Sequence, residues 1–108
     1  MAKYLINAEL LTQIEDERRR QLDKFGVQNH VPAMWTVILG EEYGEACKEA
    51  LEARFAKTEV LAAERLVNFR AEMIQVAAVA IAMIESLDRN EMEYYGQFVK
   101  QQQGELKQ

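Results

Sequence analysis

Five residues in two stretches have types and spacing that could do chemistry: Glu42, Glu45 and Glu49 in the first, Glu72 and Gln75 in the second. Each residue of a helix advances about 100° around the axis, so faces can be assigned by arithmetic. With Glu42 at zero, Trp35, Leu39, Ala46 and Ala53 fall at about 20° to 60° and Ile38 at about 320°. Glu42 therefore sits inside an apolar stripe. Glu49 (about 340°) and Glu45 (about 300°) lie beside it, while Glu41 and Glu52 fall towards the rim. With Glu72 at zero, Leu61 and Val79 lie near 340°, Met83 near 20° and Val76 near 40°. Glu72 is embedded in the same way, and Gln75 stands about 60° away at the edge of that stripe.

An unpaired buried carboxylate costs several kcal/mol, so two helices that each place glutamate on an apolar face need a common cause. Three causes are open: ion pairs with arginine, carboxyls that share protons at raised pKa, or a bound cation. Arg65 lies near Glu72 on the wheel and is its candidate partner, whereas Lys48 and Arg54 point away from the acidic face of the first stretch. Antiparallel packing of the two helices would gather Glu42, Glu45, Glu72 and Gln75, with Glu49 nearby. An all-oxygen set of this kind suits Mg2+ or Mn2+ rather than zinc. Mg2+ held by carboxylates completes its shell with water and substrate phosphates. The pattern thus points to metal-dependent phosphate chemistry and leaves the reaction open.

The elements that must position these residues are long helices, because one proline and five glycines leave few breaks. Asn7 is a cap for a first helix that carries Leu10, Leu11, Ile14 and Leu22 up to Phe25. Residues 15–20, Glu-Asp-Glu-Arg-Arg-Arg, read as its solvated face. Residues 26–31 form a loop, and Pro32 starts a second helix that runs to about Phe55. Lys57-Thr58 is the break, with Thr58 capping a third helix that ends near Leu87; Asp88, Arg89 and Asn90 form a turn. A shorter fourth helix spans about Glu91 to Gln103 and stops at Gly104. With no period-2 strand, the expected fold is all-α, an antiparallel four-helix bundle in one domain over residues 1–108.

A chain of 108 residues with 49% hydrophobic and 29% charged side chains is globular in composition. Its net charge of −5 argues against broad nucleic-acid binding, and Arg18-Arg19-Arg20 is a short basic run on an otherwise acidic chain. The lone Cys47 excludes an intramolecular disulfide and a multi-cysteine zinc site. Neither a signal peptide nor a run of about 20 apolar residues is read in the sequence, so the expectation is a cytoplasmic protein without membrane contact.

Taken together, Glu42-Tyr43-Gly44-Glu45 and Glu72-Met73-Ile74-Gln75 resemble the ExxE…ExxD signature of the MazG-like all-α nucleoside-triphosphate pyrophosphohydrolases. That superfamily includes dCTP pyrophosphatases, dimeric dUTPases and phosphoribosyl-ATP pyrophosphohydrolases. The upstream His30-Val31-Pro32, the runs 17–21 and 24–30, and Trp35 are similar to the N-terminal part of bacterial and phage MazG-like proteins, so the resemblance covers about residues 14–87. It implies Mg2+-aided hydrolysis of a (deoxy)nucleoside triphosphate to the monophosphate and pyrophosphate. Glu42, Glu45 and Glu72 would be the metal ligands and catalytic residues, one of them also orienting the attacking water. Arg20, Lys24, Gln28 and His30 would touch phosphate or base, and Trp35 would stack, although a tryptophan spaced with Ile38 and Leu39 also reads as core. The sequence departs from the family at Gln75, where the signature has aspartate. A glutamine oxygen can ligate Mg2+ but brings no charge, which makes Glu49 the substitute ligand and leaves a catalytically weakened nucleotide-binding or interaction module as the alternative.

The third helix also bears on assembly. From Met73 to Ile84 the only polar residue is Gln75, and with Phe69 the apolar side chains cover about 240° of the circumference, far more than a one-sided surface helix needs. The excess is expected to pack against a second copy, giving a homodimer or homotetramer.

Overall fold

The protein is described by a computed structural model, which places residues 5–91 together with Lys100 and Gly104. It is all-α, with three long helices: α1, Ala8–Phe25; α2, Pro32–Arg54; and α3, Glu59–Ser86. No strand occurs among the described residues. The expected fourth helix, about Glu91 to Gln103, lies outside the described residues apart from isolated positions.

Each helix begins where local chemistry sets it. The Asn7 side chain accepts a hydrogen bond from the Leu10 amide at the start of α1, and Thr58 does the same for Leu61 at the start of α3. Pro32 occupies the first turn of α2, where its missing N–H costs nothing, and the N-cap Val31 makes no side-chain cap bond. Gly26 ends α1 with φ of 70°, a conformation that side chains other than glycine rarely adopt, and its amide bonds the Leu22 carbonyl. The expected turn at 88–90 is absent. Leu87–Glu91 continues α3 as a π-helical turn, because neither proline nor glycine stands there to stop it.

α2 and α3 form an antiparallel hairpin about the connector at 55–58. As α2 is read forwards α3 is read backwards: Trp35 meets Val79, Glu42 meets Glu72, and Glu49 meets Arg65. α1 lies on α3 and runs in the same sense, tied by Gln13 to Arg70 and by Arg18 to Glu85. The core is small: Trp35, Ala46, Ala78, Val79 and Ala82 are buried, with Ile38, Leu39 and Met83 packed against them. Three alanines among five buried apolar residues let the helix backbones approach closely. Trp35 supplies the bulk, about 200 Å² of burial and about 5 kcal/mol of transfer free energy before ordering entropy is charged against it.

Both neighbours cover only part of α3. Val60, Leu66, Val67 and Ile84 are more than half exposed, as are Leu51 and Phe55 at the hairpin end. By length and composition the helical stretch Glu59–Arg89 is apolar enough to cross a membrane, more so than the sequence reading allowed. In this fold its first half carries Glu64, Arg65, Arg70 and Glu72, and its second half packs on Trp35.

Candidate metal centre

Glu42 and Glu45, one helical turn apart on α2, meet Glu72 of α3, and one carboxylate oxygen from each lies within 4.8 Å of the other two. Glu42 and Glu72 are half-buried and Glu45 is exposed. One oxygen of Glu42 and one of Glu72, both Oε2, are buried and have no hydrogen-bond partner. Glu52 Oε2 is buried as well but lies 2.8 Å from Arg65 Nη1, so its charge is met.

Electrostatics follow the geometry. Burial, then the charge of Glu45, pushes the Glu42 carboxyl above its ordinary value of 4.5, with Glu17 adding to the rise and Arg20 opposing it. Burial first, then the charge and hydrogen bond of Glu45, pushes Glu72 upward as well. Three carboxylates this close cannot all ionise cheaply without a cation, and two of them keep an oxygen free for one. The donor set is all oxygen, which fits Mg2+ or Mn2+.

One expected ligand is placed differently. Glu49 Oε2 accepts from Arg65 at 3.3 Å and from Asn68 at 3.5 Å, and it is not among the three converging carboxylates. Arg65 therefore serves Glu49 and Glu52 on α2, not Glu72 on its own helix. Gln75 lines an adjoining cleft of about 390 Å³ together with Glu42. That volume is in the range of small-molecule sites, roughly 300–1,000 Å³.

Arg20, Lys24 and Gln28, the residues expected to touch substrate, line the same cleft. Arg20 is held by Glu17 through contacts of 2.6, 2.8 and 3.1 Å. Lys24 is exposed, its ammonium over the Phe25 ring. Gln28 Nε2 lies 3.4 Å from His30 Nε2, and the His30 ring stands edge-on to Trp35, with centroids 4.9 Å apart. His30 thus joins the loop to the core rather than lining the cleft itself. Trp35 also lines the cleft, but at 2% exposure it is a core residue and too covered to offer a stacking platform; its indole N–H has no partner.

Sequence reasoning missed Arg18, Glu85 and Arg89. Arg18 bonds Glu85 and Gln21, while Arg89 donates to the Gln28 carbonyl at 3.2 Å and to Asn29 Oδ1 at 3.1 Å, pinning the loop that carries Gln28 and His30. No helical-wheel signal marks a contact between residues 61 positions apart. Comparison of the chain with family models, with curated proteins and with solved structures finds no match.

Proposed function

We propose that the chain is a Mg2+-dependent hydrolase that converts a (deoxy)nucleoside triphosphate to the monophosphate and pyrophosphate, in a house-cleaning role in the cytoplasm. The observation that carries this reading is the convergence of Glu42, Glu45 and Glu72, with buried unpartnered oxygens on two of them, beside a cleft that also holds Arg20 and Lys24. The resemblance of the two acidic motifs to the MazG-like superfamily supports it. Glu42, Glu45 and Glu72 would hold the cation, which when bound neutralises phosphate charge and acidifies its water. One of these glutamates orients the attacking water, whose oxygen bonds the α-phosphorus as the bridge to the β-phosphate breaks. Arg20 and Lys24 offset the charge that a chain of net −5 would otherwise turn against a triphosphate. Gln28, which lines the cleft, would contact the phosphate or base.

The chain is further proposed to fold as an antiparallel four-helix bundle and to work as a homodimer or homotetramer, since Val67 and Ile84 on α3 lack cover from α1 and α2. Pyrophosphate release from a panel of ordinary and modified triphosphates, with Mg2+ or Mn2+, tests the activity. No turnover of any of them, with a melting temperature that metal leaves unchanged, would sink the proposal. A second reading, a nucleotide-binding module with weakened chemistry, is favoured by the uncharged Gln75 and by the engagement of Arg20 with Glu17. It predicts stabilisation by nucleotide without pyrophosphate release.

A further inference from the structure

The side of α2 turned away from α3 is apolar where a surface helix should be charged. With Val37 at zero on the helical wheel, Trp35, Leu39 and Ala46, which pack inward, fall at about 160° to 200°. Directly opposite, at about 300° to 0°, lie Ala33, Gly40, Gly44, Leu51 and Phe55 together with Val37 itself. All six are exposed, Val37, Leu51 and Phe55 by 54%, 60% and 75%. One apolar stripe suffices to hold a helix on its neighbour, so this second stripe is surplus to the fold. Its glycines are surplus as well. Glycine in mid-helix costs stability relative to alanine, and a Cβ at Gly40 or Gly44 would meet no atom of the chain within 4 Å. What these glycines permit is the close approach of another backbone.

We infer that this stripe docks on the same stripe of a second copy, the two α2 helices crossing antiparallel about a two-fold axis at Gly44. The stripe is its own complement. Val37 and Leu51 stand seven residues to either side of Gly44, and Ala33 and Phe55 eleven. Antiparallel pairing therefore sets Val37 against the partner subunit's Leu51 and Ala33 against the partner subunit's Phe55, a smaller side chain under a larger one each time. Charge specifies the direction. Glu41 and Lys48 lie on one flank of the stripe, at about 40° and 20°, and neither is in an ion pair among the described residues. Antiparallel helices bring like flanks together, so each Glu41 meets the partner subunit's Lys48, twice over by symmetry; parallel helices would keep them apart. Val37, Leu51 and Phe55, with Met34 and Tyr43 about half exposed at the margins, offer on the order of 100 Å² apiece. With the stems of Glu41 and Lys48 the face approaches the roughly 800 Å² per partner of a stable interface. The oligomer proposed above draws on uncovered positions of α3; this contact lies on the far side of α2 and does not depend on the hydrolase reading.

Sedimentation equilibrium of the full chain tests this, with circular dichroism to check that each variant stays helical. The unaltered chain should self-associate. Glu41→Lys or Lys48→Glu alone sets like charges across both symmetric contacts and should weaken association about tenfold, and the two together should restore it. Gly44→Leu has room within the chain and should abolish association while the monomer stays folded. Unchanged association in all four variants, with loss in Val67→Lys, would put the interface on α3 and overturn the inference. Weakening in both single variants without recovery in the double variant would overturn the antiparallel register. A chain that stays monomeric at the highest soluble concentration would overturn the pairing and leave the stripe to a different occupant. None of these readouts involves nucleotide or metal, so each is separate from the outcome for the cation site.

Discussion

Replacing Glu72 by glutamine should stabilise the cation-free protein, the opposite of what removing a buried, paired carboxylate does. The oxygens of Glu42, Glu45 and Glu72 lie within 4.8 Å of one another. Unit charges at that distance repel by about 0.9 kcal/mol at the dielectric of water and about 3.5 kcal/mol at an effective value near 20. Glu45 is exposed, so the lower part of that range applies and the expected gain is about 1 kcal/mol, or about 4–8 °C in Tm for a domain of this size. The sign with pH follows from the raised carboxyls of Glu42 and Glu72. A carboxyl raised in the fold favours the folded state most below its ordinary value of 4.5, and that advantage is lost as pH rises through the folded value. The gap between Glu72→Gln and the unaltered chain should therefore be near zero at about pH 4 and widen towards neutrality. On the proposed cation site Mg2+ should reverse the order, since a cation at a hundred times its Kd adds about 2.7 kcal/mol to a protein that binds it and nothing to one that does not. Thermal unfolding at acid and neutral pH, with chelator and with Mg2+, reads all of this. A Glu72→Gln variant that melts several degrees lower in chelator yet keeps its full Mg2+ gain would refute the reasoning and make the trio a structural network.

Three further outcomes follow from the same geometry. Gln75→Asp should lower Tm without metal and increase the Mg2+-induced rise in Tm, because it adds a carboxylate to the wall that Glu42 lines. Trp35→Ala should cost about 3–5 kcal/mol, measured by denaturant unfolding, since among the described residues Trp35 is the one large buried side chain beside alanines and Val79. Thr58→Ala should cost about 1 kcal/mol in the same assay by removing the acceptor for the Leu61 amide.

The helices were legible because their signals are local. Asn7, Pro32 and Thr58 start helices in the structure where the sequence reading puts those starts, and Glu42, Glu45 and Glu72 share a site because wheel arithmetic and antiparallel pairing both depend only on spacing. What was not legible depends on long side chains crossing between helices. Arg65 sits beside Glu72 on its own wheel, but its side chain reaches over to Glu49 and Glu52, and a wheel drawn for one helix holds no information about its neighbour. The same blindness made residues 15–20 look like a uniform solvated face, although the Glu17 and Arg18 side chains are 12% and 16% exposed. Asp88-Arg89-Asn90 has the composition of a turn, but without glycine or proline the backbone keeps its helical bonds, and Arg89 is thereby carried to the loop it pins.

The hairpin also fixes an order of assembly. Contacts between α2 and α3 such as Glu52–Arg65 and Trp35–Val79 join residues 13 and 44 positions apart, whereas Arg18 and Glu85, which dock α1, are 67 apart. Shorter loops close faster, so the hairpin should acquire hydrogen-exchange protection before α1 does in a pulse-labelled refolding experiment. Glu42, Glu45 and Glu72 are thus brought face to face while the chain is still only part folded. A divalent ion present at that stage would speed the collapse that like charges slow, and so act on the rate of folding as well as on its equilibrium.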